Sequence, residues 1–401
     1  MPRHGGYSGP LTSVAIVGIA LGVMVMVMAV SILRGFRGDI TDKVVGFGSH
    51  ISVHPYADQV GIMVDQTGFT GNNIRSRIEN VPGVRKVQAY ALKGGMVKTD
   101  NQIHGIMFRG MEAGYDTAFF ADCLVAGNLP LFEPVGDSLS KPSNDVLVSA
   151  TIASKLGFKV GDKMRTYFWQ GENYRARAFT VCGIYRTDLT EMDELYVIGD
   201  IRQVMRLNGW DDSARVGGWE ILVDDFGELD HICLDVLAEL PYDLTATTVR
   251  EANPALFSWL DLLSSNITLI LAIMCIVCAV AIVSALLIMI FEKSSTIGVL
   301  KTLGATDRSI RFIFILRATR LVLAGIVSGD LLAFALCYVQ SRWQLVKLNA
   351  ESYAMSRVPV DTDWRIFLFV SIGTLAVCLL ALLLPAAYIS KINPAQTVKT
   401  E

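Results

Sequence analysis

The sequence predicts a membrane protein of four transmembrane α-helices with a large α+β extracytoplasmic domain between helices 1 and 2. Three observations carry that reading. Mean hydropathy is +0.44 and 52% of the 401 residues are hydrophobic, too many for an ordinary soluble domain. Stretches of at least about 18 apolar residues without charge, enough to cross a bilayer, fill 11–33, 262–291 and 366–390, and 321–340 qualifies apart from Asp330. Between the first two spans, residues 34–261 have ordinary globular composition.

The elements follow in order. Residues 1–33 read as N-terminus and first helix, an uncleaved anchor: the apolar run is longer than a signal-peptide core and lacks an Ala-x-Ala-like exit. In 34–261, strand-like runs occur at His50-Ile-Ser-Val-His54, Asp145-Val-Leu-Val148, 178–185 and Glu220-Ile-Leu-Val-Asp224. Amphipathic helical patterns occupy 71–81 and 200–207. Helix 2 is 262–291, a charged amphipathic segment fills 292–311, and helix 3 is 312–340. A loop at 341–364, helix 4 at 365–390 and a tail at 391–401 complete the chain.

Basic residues in short loops set orientation. Lys293, Lys301, Arg308, Arg311, Arg317 and Arg320 outnumber Glu292 and Asp307 in 292–320, and the tail adds Lys391 and Lys399. Both termini and the 292–311 segment are therefore expected in the cytoplasm, with the large domain outside.

No catalytic constellation is visible. Gly157-Phe-Lys-Val-Gly-Asp-Lys163 has the wrong spacing for a phosphate-binding P-loop. His50 and His54 stand four apart in a strand-like run, which gives no compact metal site and reads as solvated surface. Of the 7 cysteines, Cys123, Cys182 and Cys233 lie outside the spans; the last two could bridge, or serve as small buried hydrophobes. The chain is read as a non-enzyme without cofactor or metal of its own.

Glu292-Lys-Ser-Ser-Thr-Ile-Gly-Val-Leu-Lys-Thr-Leu-Gly-Ala305 resembles the coupling segment of the MacB/FtsX/LolCE-type ABC permeases, and Pro394-Ala-Gln-Thr-Val-Lys399 resembles their tail. The order of span, large domain and three spans matches along nearly the whole chain. Val45-Gly-Phe-Gly-Ser-His-Ile51, Gly18-Ile-Ala-Leu-Gly22 and Ser352–Trp364, with its Pro359-Val360, lean toward the lipoprotein-releasing LolC/LolE branch. The amphipathic N-terminal helix usual in that branch is missing or very short.

The resemblance implies two ATPase subunits that bind ATP and Mg, a second permease, identical or paralogous, lipoprotein cargo, a periplasmic carrier and membrane lipids, in a cell inner membrane. No nucleic acid is expected. The ATPase-coupling residues would be Glu292, Lys293, Ile297, Gly298, Val299, Leu300, Lys301, Leu303, Gly304 and Ala305. Ile297, Val299, Leu300 and Leu303 would form one apolar stripe entering the ATPase, with Glu292, Lys293 and Lys301 at its rim. An interfacial helix lying on headgroups is the plainer alternative.

Residues 167–177 read as a β-hairpin with Phe168, Trp169 and Tyr174 near its tip and Arg175 beside them. In the LolC branch a hairpin here would hold the carrier; burial of the aromatics between lobes is the alternative. An acyl-chain cavity would draw on Met24, Met28, Leu33, Phe36, Phe257 and Leu260, or Met24, Met26 and Met28 are packing filler. Asp330 is expected to make a structural hydrogen bond across a helix interface. Competing readings are an FtsX-like signalling scaffold controlling cell-wall hydrolases and a MacB-like efflux permease. FtsX-like chains usually carry a smaller outer domain, and MacB-like chains a fused ATPase.

Overall fold

A computed structural model describes residues 8–56, 58, 66–100, 102–132, 141–170, 173–210, 215–348, 355 and 357–388. The tail motif 394–399 and most of 349–356 lie outside them. Contacts divide the chain into a helical unit, from segments up to 38, 258–347 and from 357 onward, and a sheet-bearing unit, mainly 39–257.

Helix α1 (Ser8–Phe47) continues well past the predicted span end at 33. Strand β1 (Ile51–Pro55) follows after three residues, then β2 (Phe69–Thr70), α2 (Asn72–Glu79), β3 (Val84–Lys98) and β4 (Ile103–Met111). Next come α3 (Ala118–Asp122), β5 (Leu124–Gly127), β6 (Asp145–Ser149), α4 (Ala150–Leu156), β7 (Lys163–Gln170) and β8 (Asn173–Tyr185). The domain closes with α5 (Thr190–Leu195), β9 (Tyr196–Asp200), α6 (Ile201–Asn208), β10 (Arg215–Val216), β11 (Gly218–Val223), α7 (Leu229–Glu239), β12 (Leu244–Thr248) and α8 (Val249–Ala252). Helices α9 (Pro254–Glu292), α10 (Ser294–Thr302), α11 (Asp307–Trp343) and α12 (Trp364–Tyr388) complete the described chain. Four of the helices, α1, α9, α11 and α12, are long and apolar enough to cross a membrane. Helix α9 begins eight residues before the predicted span (262 − 254).

The sheet runs β12-β1-β11-β3-β4-β9-β6-β8-β5, with β7 pairing both β3 and β8. Strands β3, β4, β9, β6, β8 and β7 therefore close into a ring, and β11, β1 and β12 extend from β3 as an open wing. Closure removes unpaired edges and creates an interior that side chains must fill. Phe108, Phe168 and Phe179 fill it, with Phe108 and Phe179 stacked at 4.9 Å between centroids. Gly95 and Gly199 supply the room: a Cβ at either would stand under 3 Å from the ring of Phe168 or Phe108.

Helix α6 shows how local sequence specifies an element. Asp200 caps its start by accepting from the Arg202 amide at 2.9 Å. Ile201, Val204, Met205 and Leu207 bury one face.

The helical unit packs around Ile19, Val23, Met26, Val27, Cys278, Ile282, Leu286, Ile326, Cys378 and Leu382. Small residues set the closest approaches, as expected where lipid supplies no hydrophobic drive between helices. A Cβ on Gly325 would meet Ile19 at 2.8 Å, one on Gly329 the Ala20 carbonyl at 2.6 Å, and one on Gly22 the Cys278 sulfur at 2.5 Å.

Candidate functional site

The predicted coupling segment is helix α10 and the corner that follows it. Lys293 stands between α9 and α10, and Gly304 ends the helix with φ +95°. The Ala305 amide donates to Leu300 O at 3.0 Å and the Gly304 amide to Lys301 O at 3.1 Å. This is a Schellman closure, which a left-handed glycine permits without strain. Thr306 then starts α11, its hydroxyl accepting from the Ser309 amide.

The predicted stripe splits in two. Ile297 is 1% exposed and belongs to the bundle core, and Gly298 is buried beside it. Val299, Leu300 and Leu303 are exposed. A helix lying on a core must give it one face, so Ile297 anchors α10 while the other three remain open to a partner. Lys301 is corrected from rim to support: its side chain is 12% exposed and its Nζ lies 3.0 Å from Asp307 Oδ1. The pair braces the corner between α10 and α11. Glu292 is exposed, and Lys293 and Ala305 are half-buried.

The acyl-chain candidates divide differently. Met24 and Met28 are partly buried and pack on the bundle core, while Met26, between them, is fully inside it. Leu33 is half-buried. Phe36 is buried with its ring edge-on to Trp259 at 5.4 Å. Phe257 and Leu260 are buried as well.

The hairpin exists as β7 and β8, with Trp169 opposite Tyr174 and Phe168 opposite Arg175. Phe168 is corrected from tip to core: it is 0% exposed inside the closed ring. Trp169 and Tyr174, on the opposite face, are 47% and 52% exposed, with ring centroids 4.5 Å apart. Arg175 is exposed. Residues 171–172 at the tip lie outside the described residues.

The histidine run is half-buried rather than solvated. His50 Nδ1 accepts from the Val223 amide at 3.3 Å. Burial, helped by nearby Arg85, lowers its pKa to about 4. His54 Nε2 lies 3.3 Å from the Thr247 hydroxyl. Cys182 and Cys233 are free thiols, and burial pushes them up to about 12 and about 11, which makes them inert. Among the described residues no group of His, Cys, Asp and Glu could hold a metal ion.

A buried polar cluster escapes sequence reading. Arg109 on β4 donates through Nη2 to Glu220 on β11 at 2.5 Å and to the Tyr115 hydroxyl at 2.9 Å. Its Nη1 donates to the Phe47 carbonyl, and Tyr115 donates to the other oxygen of Glu220. Arg109 and Glu220 are 3% and 4% exposed. Although burial works against the Arg109 charge, the facing carboxylate holds its pKa above the usual range. A cavity of about 320 Å³ lies alongside, lined by Phe47, His54, Tyr90, Arg109, Tyr196 and Glu220 among others. None of the six acyl-chain candidates lines it. The available signal was a charged residue inside an apolar strand, in Met107-Phe-Arg-Gly-Met111 and in Trp219-Glu-Ile221.

Four apolar helices, a large α+β domain and a short helix held on the bundle by one face are the parts of a membrane permease. A model of the MacB-like periplasmic core domain matches residues 12–225, over half of the chain, and one of the FtsX-like permease C-terminal matches residues 268–394. The chain belongs to the MacB- and FtsX-like ABC permease family. It is 24% identical over 421 residues to the lipoprotein-releasing system transmembrane protein LolC of Neisseria meningitidis, covering 100% of this chain and 96% of that one. To LolE of Haemophilus influenzae it is 23% identical over 418 residues, covering 99% and 97%. The periplasmic region of MacB from Actinobacillus actinomycetemcomitans aligns at 12% identity and a TM-score of 0.35, covering 53% of this chain and 95% of that one.

Proposed function

We propose that this chain is the permease subunit of an ATP-driven transporter that extracts lipoproteins from the outer leaflet of an inner membrane and hands them to a periplasmic carrier. The observation that carries the reading is end-to-end likeness to both LolC and LolE, across spans and domain alike. In this arrangement the sheet-bearing domain is periplasmic, and Val299, Leu300 and Leu303 on α10 are the cytoplasmic contact for an ATPase that binds ATP and Mg. Two ATPases pair with this chain and a second permease, identical or paralogous. Trp169, Tyr174 and Arg175 form the carrier contact.

Moving an acyl chain through water costs about 0.8 kcal/mol per CH₂, so extraction needs both an energy source and a carrier that shields the chain. The test is depletion of the protein followed by fractionation of the membranes. Lipoproteins destined for the outer membrane should accumulate in the inner one. Normal sorting alongside defective septal wall cleavage would favour an FtsX-like scaffold instead, and drug sensitivity alone a MacB-like efflux permease.

A further inference from the structure

Helix α1 is unbroken from Ser8 to Phe47 and meets the sheet through only Gly48, Ser49 and His50 before β1 begins. A three-residue connection containing glycine lets a helix pivot. The last turn of α1 is nevertheless fixed sideways. The Phe47 carbonyl, which helical geometry leaves without an intrahelical partner, accepts from Arg109 Nη1. The Phe47 ring packs edge-on against Phe120 and Tyr196 at 5.7 and 5.1 Å. Lys43, one turn earlier, reaches Asp188 at 3.7 Å. Gly46 lies so close to Phe119 that a Cβ would stand 2.4 Å from its ring.

Arg109 is the only one of these contacts that also grips the sheet across strands. Strand β3 lies between β4 and β11, so the Arg109–Glu220 pair bridges over it. A single planar guanidinium thereby joins the end of α1, strand β4 and strand β11. Its fork of fixed donors reaches three acceptors at once, which a lysine ammonium on a flexible stem cannot do. The positive charge also suits the partial negative charge at a helix C-terminus.

We propose that Arg109 is the positioning residue through which movement of α1 is passed into the domain's sheet, making Gly46-Phe47-Gly48 and the Arg109–Glu220–Tyr115 cluster one mechanical joint. This rests on the transport reading above. The Phe47, Lys43 and Gly46 contacts hold the last turn of α1 against neighbouring elements, and the Arg109 tie adds β4 and β11, which must then follow its movement.

The test uses the full permease complex with its ATPase in proteoliposomes loaded with lipoprotein, with the carrier outside. Arg109→Lys should keep normal membrane abundance and ATP hydrolysis while release falls on the order of tenfold, a size typical of coupling between sites. Tyr115→Phe, which loosens only one arm, should show a smaller fall in the same direction. A merely structural role would lower abundance, hydrolysis and release together. Wild-type release by Arg109→Lys overturns the proposal. If that variant is not recovered in membranes, Tyr115→Phe decides, and its unchanged release overturns the proposal equally. Hydrogen exchange across β4 and β11 with and without ATP separates this idea from the transport reading. If the wild type releases no lipoprotein, an ATP-dependent exchange change that vanishes in the variant still supports the joint, and one that persists, or its absence in the wild type, overturns it.

Discussion

Ser371 on α12 donates its hydroxyl to Asp330 Oδ2 on α11 at 2.6 Å. The carboxylate's other oxygen is buried without a hydrogen-bond partner among the described residues. A short side-chain contact between two neighbouring helices is what a structural carboxylate needs. Asp330→Asn keeps an acceptor for Ser371, so transport should stay within about twofold and its pH profile should not move. Asp330→Leu removes the contact, and the detergent-solubilised protein should lose about 1 kcal/mol of stability, read as a lower melting temperature. A transport rate that collapses in Asp330→Asn would mark a proton relay instead.

The coupling helix makes opposite forecasts for residues one turn apart. Ile297→Ala opens a cavity in the bundle core and should cost about 2–5 kcal/mol, seen as reduced membrane abundance. Leu300→Asp and Leu303→Asp alter only the exposed face, so abundance should be normal while the ATPase is lost on purification. Lys301→Ala breaks a partly exposed pair with Asp307, worth about 0–1 kcal/mol, and should change little. Full transport by Leu303→Asp with the ATPase still attached would move the docking surface off α10.

Most of the architecture was legible because its signals are local. Apolar runs, one of them interrupted by Asp330, marked all four long helices, and 145–148 and 178–185 fall inside β6 and β8. Span ends were not legible, since α1 changes from apolar to charged at Arg34 and continues through Gly35 and Gly38, with no proline to stop it, to Phe47. Phe168 was misjudged for a non-local reason. Alternation in a hairpin shows that Phe168 and Trp169 face opposite ways, but which side is interior depends on β7 pairing with β3, some seventy residues earlier. Ile297 follows the same logic: a short amphipathic helix shows its stripe but not which part of it the bundle claims. The Arg109–Glu220 pair, 111 positions apart, becomes visible only once the strands are ordered.

Acid should weaken the domain at His50. Its pKa is depressed from 6.5 to about 4 by burial, with Arg85 adding to the effect. The unfolded chain therefore takes up a proton that the folded one refuses. The stability contributed by the neutral ring is fully present above about pH 6.5 and is lost as pH falls toward 4. Melting temperature of the purified protein should drop across that window. In His50→Gln, which can still accept from the Val223 amide, the slope should be shallower. An identical pH profile in the two proteins would show that the fold leaves the His50 pKa where it is in the unfolded chain.

The hairpin separates packing from recognition within two adjacent residues. Phe168 is enclosed by Phe108 and Phe179 inside the closed ring, so Phe168→Ala should cost about 3–5 kcal/mol and lower membrane abundance. Trp169 and Tyr174 stand on the outer face of the same strands, paired ring to ring and half open to water. Large apolar groups held exposed on a rigid hairpin usually mark a partner surface, and exposed aromatics of this kind concentrate binding energy. Replacing both with Ser should leave abundance and ATP hydrolysis near wild type, because neither side chain supports the ring interior. Crosslinking from an introduced photoreactive residue at Arg175 to the periplasmic carrier should then disappear, and with it the transfer of lipoprotein. If abundance is normal and crosslinking persists, the carrier docks on another part of the domain, and Trp169 and Tyr174 are no more than a cross-strand pair that stabilises the hairpin.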